Sequence, residues 1–530
     1  MPRPSDRTPD LSRWVPALAL VALAGHVVVN IITPYGLHRD AFLYLAMGRH
    51  LRLWRMDFPP LIAMVAEVER GLFGDSLVAI RLVPDLAHAA SVLLAGMIAR
   101  ELGGRRYAQV LATLGVALGP LFMRPGGLFQ PVALDQLWWT LGLFALARMA
   151  RREPGRAAHE WMLVGVACGL GLLTKFSILF FGLAVLVGTL LSDRRRDLGT
   201  PWPWLAAVLA FGMGAPSIVG QIRLGWPVLG QMRDLQSVQL QHVSVGGFLF
   251  GQVMLLGPWL LLAVAGLADL VVPARRRPFR VVGWTCLAAF VTLLMLHGKA
   301  YYGGPIYPAL LAAGAVWLER VTGHTAPRPF ATARRVQPGL VLATRIVVVI
   351  LALAVGVAEL PMGAPILPPP AMARYAAAVG VTEAVTTNTG QVLPLPQDYA
   401  DMLGWQALAD TVARVWHSLP AGDRARAVLI ANNYGEAGAL DFYGPRLGLP
   451  PSIAPVGSYW FFGPGEKPGQ VAVIVGSDEA GNRRYFADVR RAAVMNEPWV
   501  VPEQRDVPIW IAREPYQTLQ QVWGEFRGRN

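Results

Sequence analysis

The chain has few charged residues and almost no cysteine. Asp, Glu, Lys and Arg make up 15% of its 530 residues, whereas 54% are hydrophobic and the mean hydropathy is +0.42. One soluble core cannot bury that much apolar surface, so most of it must face lipid. The two cysteines, Cys168 and Cys286, both lie in apolar segments, which argues against a disulfide framework and a thiolate metal site. The composition therefore predicts a multi-spanning membrane protein.

Acidic residues are scarce relative to basic ones. The chain has 34 Asp and Glu against 47 Lys and Arg, which gives a net charge of +13. In a soluble protein this excess would indicate a nucleic-acid partner. Here the arginines stand in short tracts between apolar runs, and such tracts mark cytoplasmic loops. We therefore expect no nucleic-acid partner.

The first apolar run, Val15 to Thr33, follows Arg3, Arg7 and Arg13. It is long enough to cross the hydrocarbon layer and lacks an Ala-x-Ala-like cleavage site. We interpret it as a retained membrane anchor with a cytoplasmic amino terminus.

The arginine tracts predict which loops are cytoplasmic. They occur at residues 100–106, 148–156, 194–196, 275–280 and 320–335, and the apolar sequence between them predicts about eleven transmembrane helices. The predicted spans are 15–34, 77–99, 107–123, 133–150, 160–174, 176–192, 203–221, 247–271, 281–297, 304–319 and 340–360. An odd number of spans leaves the carboxyl terminus outside the cytoplasm.

The run from Trp161 to Leu191 is short for two crossings. One long helix would move the later arginine tracts to the outside, so the charge rule favours two short helices that meet at Thr174 and Lys175.

The composition changes after Leu360. We predict a transmembrane domain at 1–360 with a first outer loop at 35–76, a proline-rich hinge at 361–369, and an extracytoplasmic α/β domain at 370–530. Prolines end the last helix. In the outer domain, the segments ARAVLIANN and VAVIVGS have the pattern of short buried strands.

Four segments fall on the outer side under this topology, and they carry the candidate chemistry. Acids and cations that converge at the lipid boundary suit transfer from a lipid-linked phosphate. Cations hold the phosphate leaving group, while a carboxylate takes a proton from the attacking hydroxyl. These segments supply the carboxylates Asp40, Asp57 and Asp135, the cations Arg39, Arg81, Arg124, Lys175 and Lys299, and the tyrosines Tyr301, Tyr302 and Tyr307.

The order of these residues carries a family resemblance that covers nearly the whole chain. An acid follows the first helix, DFPPLI begins at Asp57, an acid opens the fourth helix, TKF surrounds Lys175, and KAYYGGPIYP begins at Lys299. This pattern resembles the polyprenyl-phosphate-sugar-dependent glycosyltransferases, a glycosyltransferase family 39-like group that includes protein O-mannosyltransferases and the aminoarabinose transferases that modify lipid A.

The resemblance implies several properties of the whole protein. It implies the C-type membrane glycosyltransferase fold, a place in the bacterial cytoplasmic (inner) membrane, and inverting transfer of a sugar from a polyprenyl-phosphate carrier. The acceptor would be a hydroxyl of a protein, a lipid or a cell-wall glycan outside the cytoplasm.

The resemblance and the outer placement together suggest roles for the candidate residues. Asp40 would be the general base, and Asp135 would orient the acceptor or the base. Lys175 and Lys299 would bind the donor phosphate with support from Arg81 and Arg124. Substrate binding would involve Asp57, Tyr301, Tyr302 and Tyr307.

The chain departs from the family pattern at two positions. Ala41 stands where the family usually has Glu after the Asp, and Phe58 stands where a histidine often precedes the prolines. We assign no metal ligands. A divalent cation stays an open alternative, although Asp40 and Asp135 would be a thin set of oxygen ligands.

Each candidate also has a structural interpretation. Asp40 can cap an interfacial helix, Asp135 can complement a helix dipole, and Asp57 can shape a turn. Lys175 can snorkel to the membrane surface, and the tyrosines near Lys299 can form an interfacial aromatic belt.

Two other functions are compatible with the composition. A lipid or sugar transporter or flippase with a glycan-binding outer domain would place charges along a translocation path, usually with internal repeats, and no repeat is evident here. Alternatively, the outer domain alone is the working part and binds glycan, although so many spans exceed what anchoring needs.

Overall fold

The computed structural model describes residues 8–238, 240, 243–323, 338–380 and 390–528. The charge signals at Arg3 and Arg7, and the part of the last arginine tract at 324–335, lie outside the described residues. The chain forms two compact units. Unit 1 comprises residues 1–32, 81–216 and 240–366, and unit 2 comprises residues 33–80, 217–239 and 367–530.

The first half of the chain is helical. In chain order the helices are α1 (Trp14–Ile32), α2 (Arg39–Arg49), α3 (Leu61–Phe73), α4 (Leu77–Ile80), α5 (Leu82–Glu101), α6 (Arg106–Leu118), α7 (Pro120–Gly126), α8 (Pro131–Met149), α9 (Ala158–Thr174), α10 (Ile178–Leu190), α11 (Trp202–Leu224) and α12 (Pro227–Val238).

The second half adds more helices and the strands. The helices are α13 (Val245–Leu256), α14 (Trp259–Val271), α15 (Arg280–Met295), α16 (Tyr307–Val321), α17 (Pro338–Gly363), α18 (Pro369–Val379), α19 (Gln397–Ala400), α20 (Trp405–Ser418), α21 (Ala421–Arg426), α22 (Tyr434–Tyr443), α23 (Gly457–Phe462), α24 (Glu479–Arg483) and α25 (Leu519–Val522). The strands are β1 (Ala427–Ala431), β2 (Ser452–Ile453), β3 (Val471–Val475), β4 (Phe486–Met495) and β5 (Val507–Pro515).

Several helices are long and apolar enough to cross a bilayer. Among the described residues there are five, and up to six if a bent pair counts as one span. They are Trp14–Ile32, Leu82–Glu101, Trp202–Leu224, Ala274–Met295 and Gly339–Gly363. Two shorter apolar helices, α9 and α10, are separate and leave Lys175 between them, as predicted. The chain is therefore a multi-pass α-helical membrane protein, the type found in bacterial inner membranes. The total of eleven spans stays a prediction.

Three predicted spans are divided in the structure: 77–99 at Arg81, 107–123 at Gly119, and 247–271. The segment predicted at 247–271 consists of α13 and α14, which meet at an angle of 110°. Gly257 has φ +50°, outside the helical region, and Pro258 follows it without a backbone N–H to donate. The helix therefore ends at Leu256, and a new one begins.

Small residues let the helices of unit 1 pack closely. A Cβ atom on Gly266 of α14 would overlap the backbone carbonyl of Leu310 on α16, and one on Gly314 would overlap the carbonyl of Leu262. Such close backbone approach is typical of helix pairs in membranes, where packing replaces the hydrophobic effect. Unit 1 contains a large cluster of buried apolar side chains that includes Trp139 and Phe181.

Unit 2 contains a five-stranded sheet in the order β2-β1-β3-β5-β4. The strands β2, β1 and β3 are parallel, whereas β5 and β4 are antiparallel to their neighbours. Both segments predicted as buried strands, around β1 and β3, are strands. The sheet confirms an α/β fold in the carboxyl-terminal part of the chain, while the predicted domain boundaries stay predictions.

Candidate active site

Asp40 lies in the first turn of α2, in unit 2. His38 caps this helix, because its Nδ1 accepts a hydrogen bond from the Asp40 backbone N–H at 3.1 Å. The Asp40 carboxylate accepts a hydrogen bond from the hydroxyl of Tyr434 at 2.8 Å, and its side chain is 31% exposed. A carboxylate in the first turn is also favoured by the helix dipole. Asp40 is thus oriented by its neighbours and still accessible.

Tyr434 is fixed as a hydrogen-bond donor. Burial raises the pKa of its phenol, and the negative charge of Asp40 raises that pKa further. The phenol therefore keeps its proton at physiological pH. The guanidinium group of Arg39 lies 5.8 Å from the Tyr434 ring centroid, and the Nε of Arg39 is 3.6 Å from the Asp401 carboxylate.

Two glycines bring the helix that carries Tyr434 close to α2. A Cβ atom on Gly435 would lie 2.5 Å from the side chain of Arg39, and a Cβ on Gly438 would lie 2.6–2.9 Å from atoms of Phe42. Real Cβ atoms are not found so close to other atoms, so only glycine permits this packing. The spacing of three residues places both glycines on one face of α22.

Asp57 lies in unit 2 as a buried residue with internal partners. Its carboxylate accepts a hydrogen bond from Ser458 Oγ at 2.7 Å, and its backbone carbonyl accepts one from Gln221 Nε2 at 2.5 Å. Burial raises the pKa of the carboxyl from 3.8 to about 6, and the Ser458 hydrogen bond opposes this rise. These contacts fit the alternative that Asp57 shapes its turn, and substrate binding by Asp57 stays a prediction.

A second group of candidates lies in unit 1 around Asp135. This residue lies near the start of α8, and its carboxylate accepts hydrogen bonds from Trp139 Nε1 at 3.1 Å and Ser177 Oγ at 2.9 Å. Lys175, in the break between α9 and α10, interacts electrostatically with Asp135. The Lys175 ammonium group lies 5.1 Å from the Tyr302 ring centroid. The structure therefore brings together Asp135, Lys175 and Tyr302.

The other tyrosines belong to the same region of unit 1. Lys299 precedes a 3-10 turn, Ala300–Ile306, in which the rings of Tyr301 and Tyr302 are 4.8 Å apart. The buried Tyr307 donates a hydrogen bond to Gln252 Oε1 at 2.6 Å, and the Gln252 amide donates to the carbonyl of Ala300 at 3.0 Å. Tyr307 therefore anchors this turn.

The two supporting arginines have internal partners. Arg81 is 1% exposed and donates a hydrogen bond to Asn30 Oδ1 at 3.1 Å, while Asn30 donates to Asp85 at 2.9 Å. Arg124 donates to the carbonyl of Met362 at 3.0 Å. These contacts give both arginines a structural role, and phosphate binding by them stays a prediction.

Within the part of the chain that the structure describes, no three His, Cys, Asp or Glu side chains are grouped as metal ligands. A divalent cation therefore stays an open alternative.

Sequence reasoning missed the residues that surround Asp40 in unit 2. His38 and Asp401 belong to no recognised motif, and Tyr434, in the segment NNYGEAGAL, is separated from Asp40 by 394 residues. A compositional signal for the cationic candidates was available, however. The chain has only three lysines, and two of them are Lys175 and Lys299. In a chain that relies on arginine for its charge, these two lysines stand out.

The architecture defines the class of protein: this chain has the C-type membrane glycosyltransferase fold. Its structure is similar to the crystal structure of ArnT from Cupriavidus metallidurans in the apo state, with a TM-score of 0.60 and 18% sequence identity over 94% of this chain and 97% of that one. The same protein bound to undecaprenyl phosphate gives a TM-score of 0.58 at 18% identity, over 94% and 98% of the two chains.

Comparison of sequences finds a family model and named relatives that match shorter segments of the chain. Residues 57–219 match the family model described as dolichyl-phosphate-mannose-protein mannosyltransferase. The chain is 29% identical over 229 residues to undecaprenyl phosphate-alpha-4-amino-4-deoxy-L-arabinose arabinosyl transferase 2 of Pseudomonas fluorescens, which is 40% of this chain and 39% of that protein. The matched segments span less than two fifths of the curated relatives. Asp40 lies outside the residues matched by the family model.

Proposed function

We propose that the chain is an integral-membrane glycosyltransferase that moves a sugar from a polyprenyl-phosphate carrier to a hydroxyl of an extracytoplasmic protein, lipid or cell-wall glycan. The amino terminus would be cytoplasmic and the carboxyl-terminal domain extracytoplasmic. The C-type fold and the matched relatives support this proposal. The observation that carries it is the Asp40 carboxylate, which is accessible and is oriented by the Tyr434 hydroxyl.

Asp40 would act as the general base. In this mechanism it takes the proton of the acceptor hydroxyl while that oxygen attacks the anomeric carbon of the donor sugar. The bond between the anomeric carbon and the carrier phosphate breaks on the opposite side, so the configuration inverts. The Tyr434 hydroxyl stays protonated and holds the Asp40 carboxylate in place while the proton is transferred.

Lys175 and Lys299 would bind the phosphate that leaves with the carrier. Negative charge develops on that phosphate as the glycosidic bond breaks, and a fixed ammonium group stabilises it most where water is excluded. Asp135 would hold Lys175 in place, because it accepts from Ser177, two residues further along the same break between helices. The Tyr302 ring, 5.1 Å from the Lys175 ammonium group, would further restrict it.

The test is Asp40→Asn in the full-length protein. We expect normal membrane insertion and a loss of sugar transfer of roughly 100-fold to 10,000-fold, the range that a general base supplies. Transfer is measured with radiolabelled polyprenyl-phosphate sugars and a membrane extract as the acceptor source.

The matched control is Asp488→Asn, which removes the same charge from an exposed position on β4. It should transfer sugar at the wild-type rate. Full activity of Asp40→Asn would refute the assignment of the base. Absence of transfer from every polyprenyl-phosphate sugar by the wild-type protein would instead favour the transporter alternative.

A further inference from the structure

Unit 1 contains a cavity that none of the candidate catalytic residues lines. It has a volume of about 800 Å³ and lies where α1, α6, α16 and α17 meet. Its walls include Trp14, Arg105, Arg106, Tyr107, Arg320 and Arg345. A second cavity of about 410 Å³ shares Trp14, Arg105 and Arg106 with the first and adds Asp10 and Arg13.

The cavity is strongly basic. Glu319 is the carboxylate in its lining, but its oxygens accept hydrogen bonds from the backbone N–H groups of Arg105 at 2.7 Å and Ala108 at 3.1 Å. Glu319 is thus engaged in capping α6. Across residues 8–238, 240, 243–323, 338–380 and 390–528, no carboxylate forms an ion pair with Arg105 or Arg106. Their charges are available to a ligand.

Aromatic rings hold two of the arginines in place. The guanidinium group of Arg106 lies 5.8 Å from the ring centroid of Trp14, and that of Arg345 lies 5.0 Å from the ring centroid of Tyr107. Arg345 also donates a hydrogen bond from Nε to Thr322 Oγ1 at 3.0 Å. A guanidinium plane that is already ordered loses less entropy when it forms paired hydrogen bonds to phosphate.

The surroundings of the cavity suit an amphiphile. Val341 of α17 lines the cavity, while its neighbours Leu340 and Leu342 are 62% and 61% exposed on a helix apolar enough to span the bilayer. Trp14 is 42% exposed at the start of α1, a position typical of the aromatic residues at a membrane surface. Basic binding groups and lipid-facing surface therefore meet on the same helices.

We propose that this cavity binds the headgroup of an anionic phospholipid, with the phosphodiester against Arg105 and Arg106 and the acyl chains along α17. Basic pockets between transmembrane helices recognise such headgroups through charge and phosphate geometry. The arginine tracts place this end of the helices in the cytoplasm, where the anionic lipids would reach it from the inner leaflet.

The experiment measures lipid binding to the purified full-length protein by native mass spectrometry. The probes are phosphatidylglycerol, phosphatidylcholine, inorganic phosphate and a polyprenyl phosphate. We expect wild type to bind phosphatidylglycerol more tightly than phosphatidylcholine. Arg106→Gln should weaken phosphatidylglycerol binding about fivefold, and Arg105→Gln with Arg106→Gln about thirtyfold, from roughly 1 kcal/mol per arginine.

Two controls separate charge from folding. Arg195→Gln with Arg196→Gln removes two exposed arginines of another tract and should leave binding unchanged. Arg105→Lys with Arg106→Lys keeps the charges and should retain the preference for phosphatidylglycerol. If the double glutamine variant does not fold, Arg106→Gln alone decides the question.

Three outcomes would overturn the proposal. The first is equal phosphatidylglycerol affinity for wild type and the glutamine variants. The second is inorganic phosphate that competes as well as the lipid, which would indicate a site for a soluble anion. The third is displacement of phosphatidylglycerol by polyprenyl phosphate at lower concentration, which would assign the cavity to the carrier lipid.

Discussion

Tyr434 positions Asp40 through one hydrogen bond to its carboxylate, so removal of that hydrogen bond should slow sugar transfer. Tyr434→Phe keeps the ring against Arg39 but deletes the donor. A hydrogen bond to a charged group contributes about 1.5–3 kcal/mol, so we expect kcat to fall roughly tenfold to a hundredfold with little change in KM. Steady-state kinetics of sugar transfer measure both constants.

Tyr459→Phe is the matched control, because Tyr459 donates a similar hydrogen bond, at 2.8 Å, to Asp441 in the same unit. That variant should lose stability but keep its kcat. If Tyr434→Phe raised KM and left kcat unchanged, the tyrosine would contact substrate and would not be a positioning residue.

Asp57 makes the stability of the protein depend on pH. Its pKa in the folded chain is about 6, against 3.8 when unfolded, so the folded state binds more protons between these values. The contribution of Asp57 to stability is therefore fully present below about pH 4, and it is lost as the pH rises through 6. The difference between these two pKa values corresponds to about 3 kcal/mol.

Asp57→Asn should abolish this contribution, because the amide keeps its size but does not titrate in this range. We expect the melting temperature of the variant in detergent to change less between pH 4 and pH 7 than that of wild type. Asp488→Asn, at an exposed position, serves as the control and should retain the wild-type slope. Identical slopes for wild type and Asp57→Asn would show that the carboxyl is not desolvated.

At the scale of elements, the glycine face of α22 sets the distance between this helix and α2. Gly438→Ala would place a methyl group within 2.9 Å of three atoms of Phe42, two of which belong to the backbone. The backbone cannot rotate away as a side chain can, so α22 must shift and carry Tyr434 with it. Overpacking of this kind costs about 1–3 kcal/mol.

We therefore expect Gly438→Ala to lower both the melting temperature and the rate of sugar transfer. The rate should fall at least as far as in Tyr434→Phe, since the same hydrogen bond is lost. Gly422→Ala is the control, because nothing lies within 4 Å of a Cβ atom there. A variant at Gly438 with a wild-type rate would mean that the position of α22 does not govern Asp40.

The elements differ in how well local sequence predicts them. The strands β1 and β3 are continuous apolar runs and were predictable, whereas β4 alternates irregularly between buried and exposed residues and was not. The bend between α13 and α14 had a signal in Gly257-Pro258, a pair that commonly marks a turn. Hydropathy alone does not reveal the bend, because α13 and α14 are both apolar.

The candidate active site was predictable only in part, for a physical reason. Asp40, Lys175 and Asp135 stand in motifs or at helix ends, where a costly charge is conspicuous in an apolar chain. Tyr434 lies in an ordinary amphipathic context in the carboxyl-terminal sheet region. Its role arises from tertiary packing of α22 on α2, which no local pattern encodes.

For the whole molecule, the charge distribution makes a prediction about sidedness. The predicted cytoplasmic amino terminus and odd number of crossings would place the carboxyl-terminal α/β region outside and the tract at 194–196 inside. Substituted-cysteine labelling tests this directly. The native Cys286 is buried and Cys168 partly so, and both are replaced by alanine to give a silent background.

Asp488→Cys and Arg195→Cys are then introduced separately at exposed positions. In spheroplasts, a membrane-impermeant maleimide should label the Asp488→Cys protein at once and the Arg195→Cys protein only after permeabilisation. Positions 195 and 488 are predicted to lie on opposite sides of the membrane. Equal accessibility of these two positions would mean that the chain crosses the membrane an even number of times between them. In that case the proposed role of Asp40 as the base would have to be reconsidered, since its predicted extracytoplasmic placement rests on the same arginine tracts.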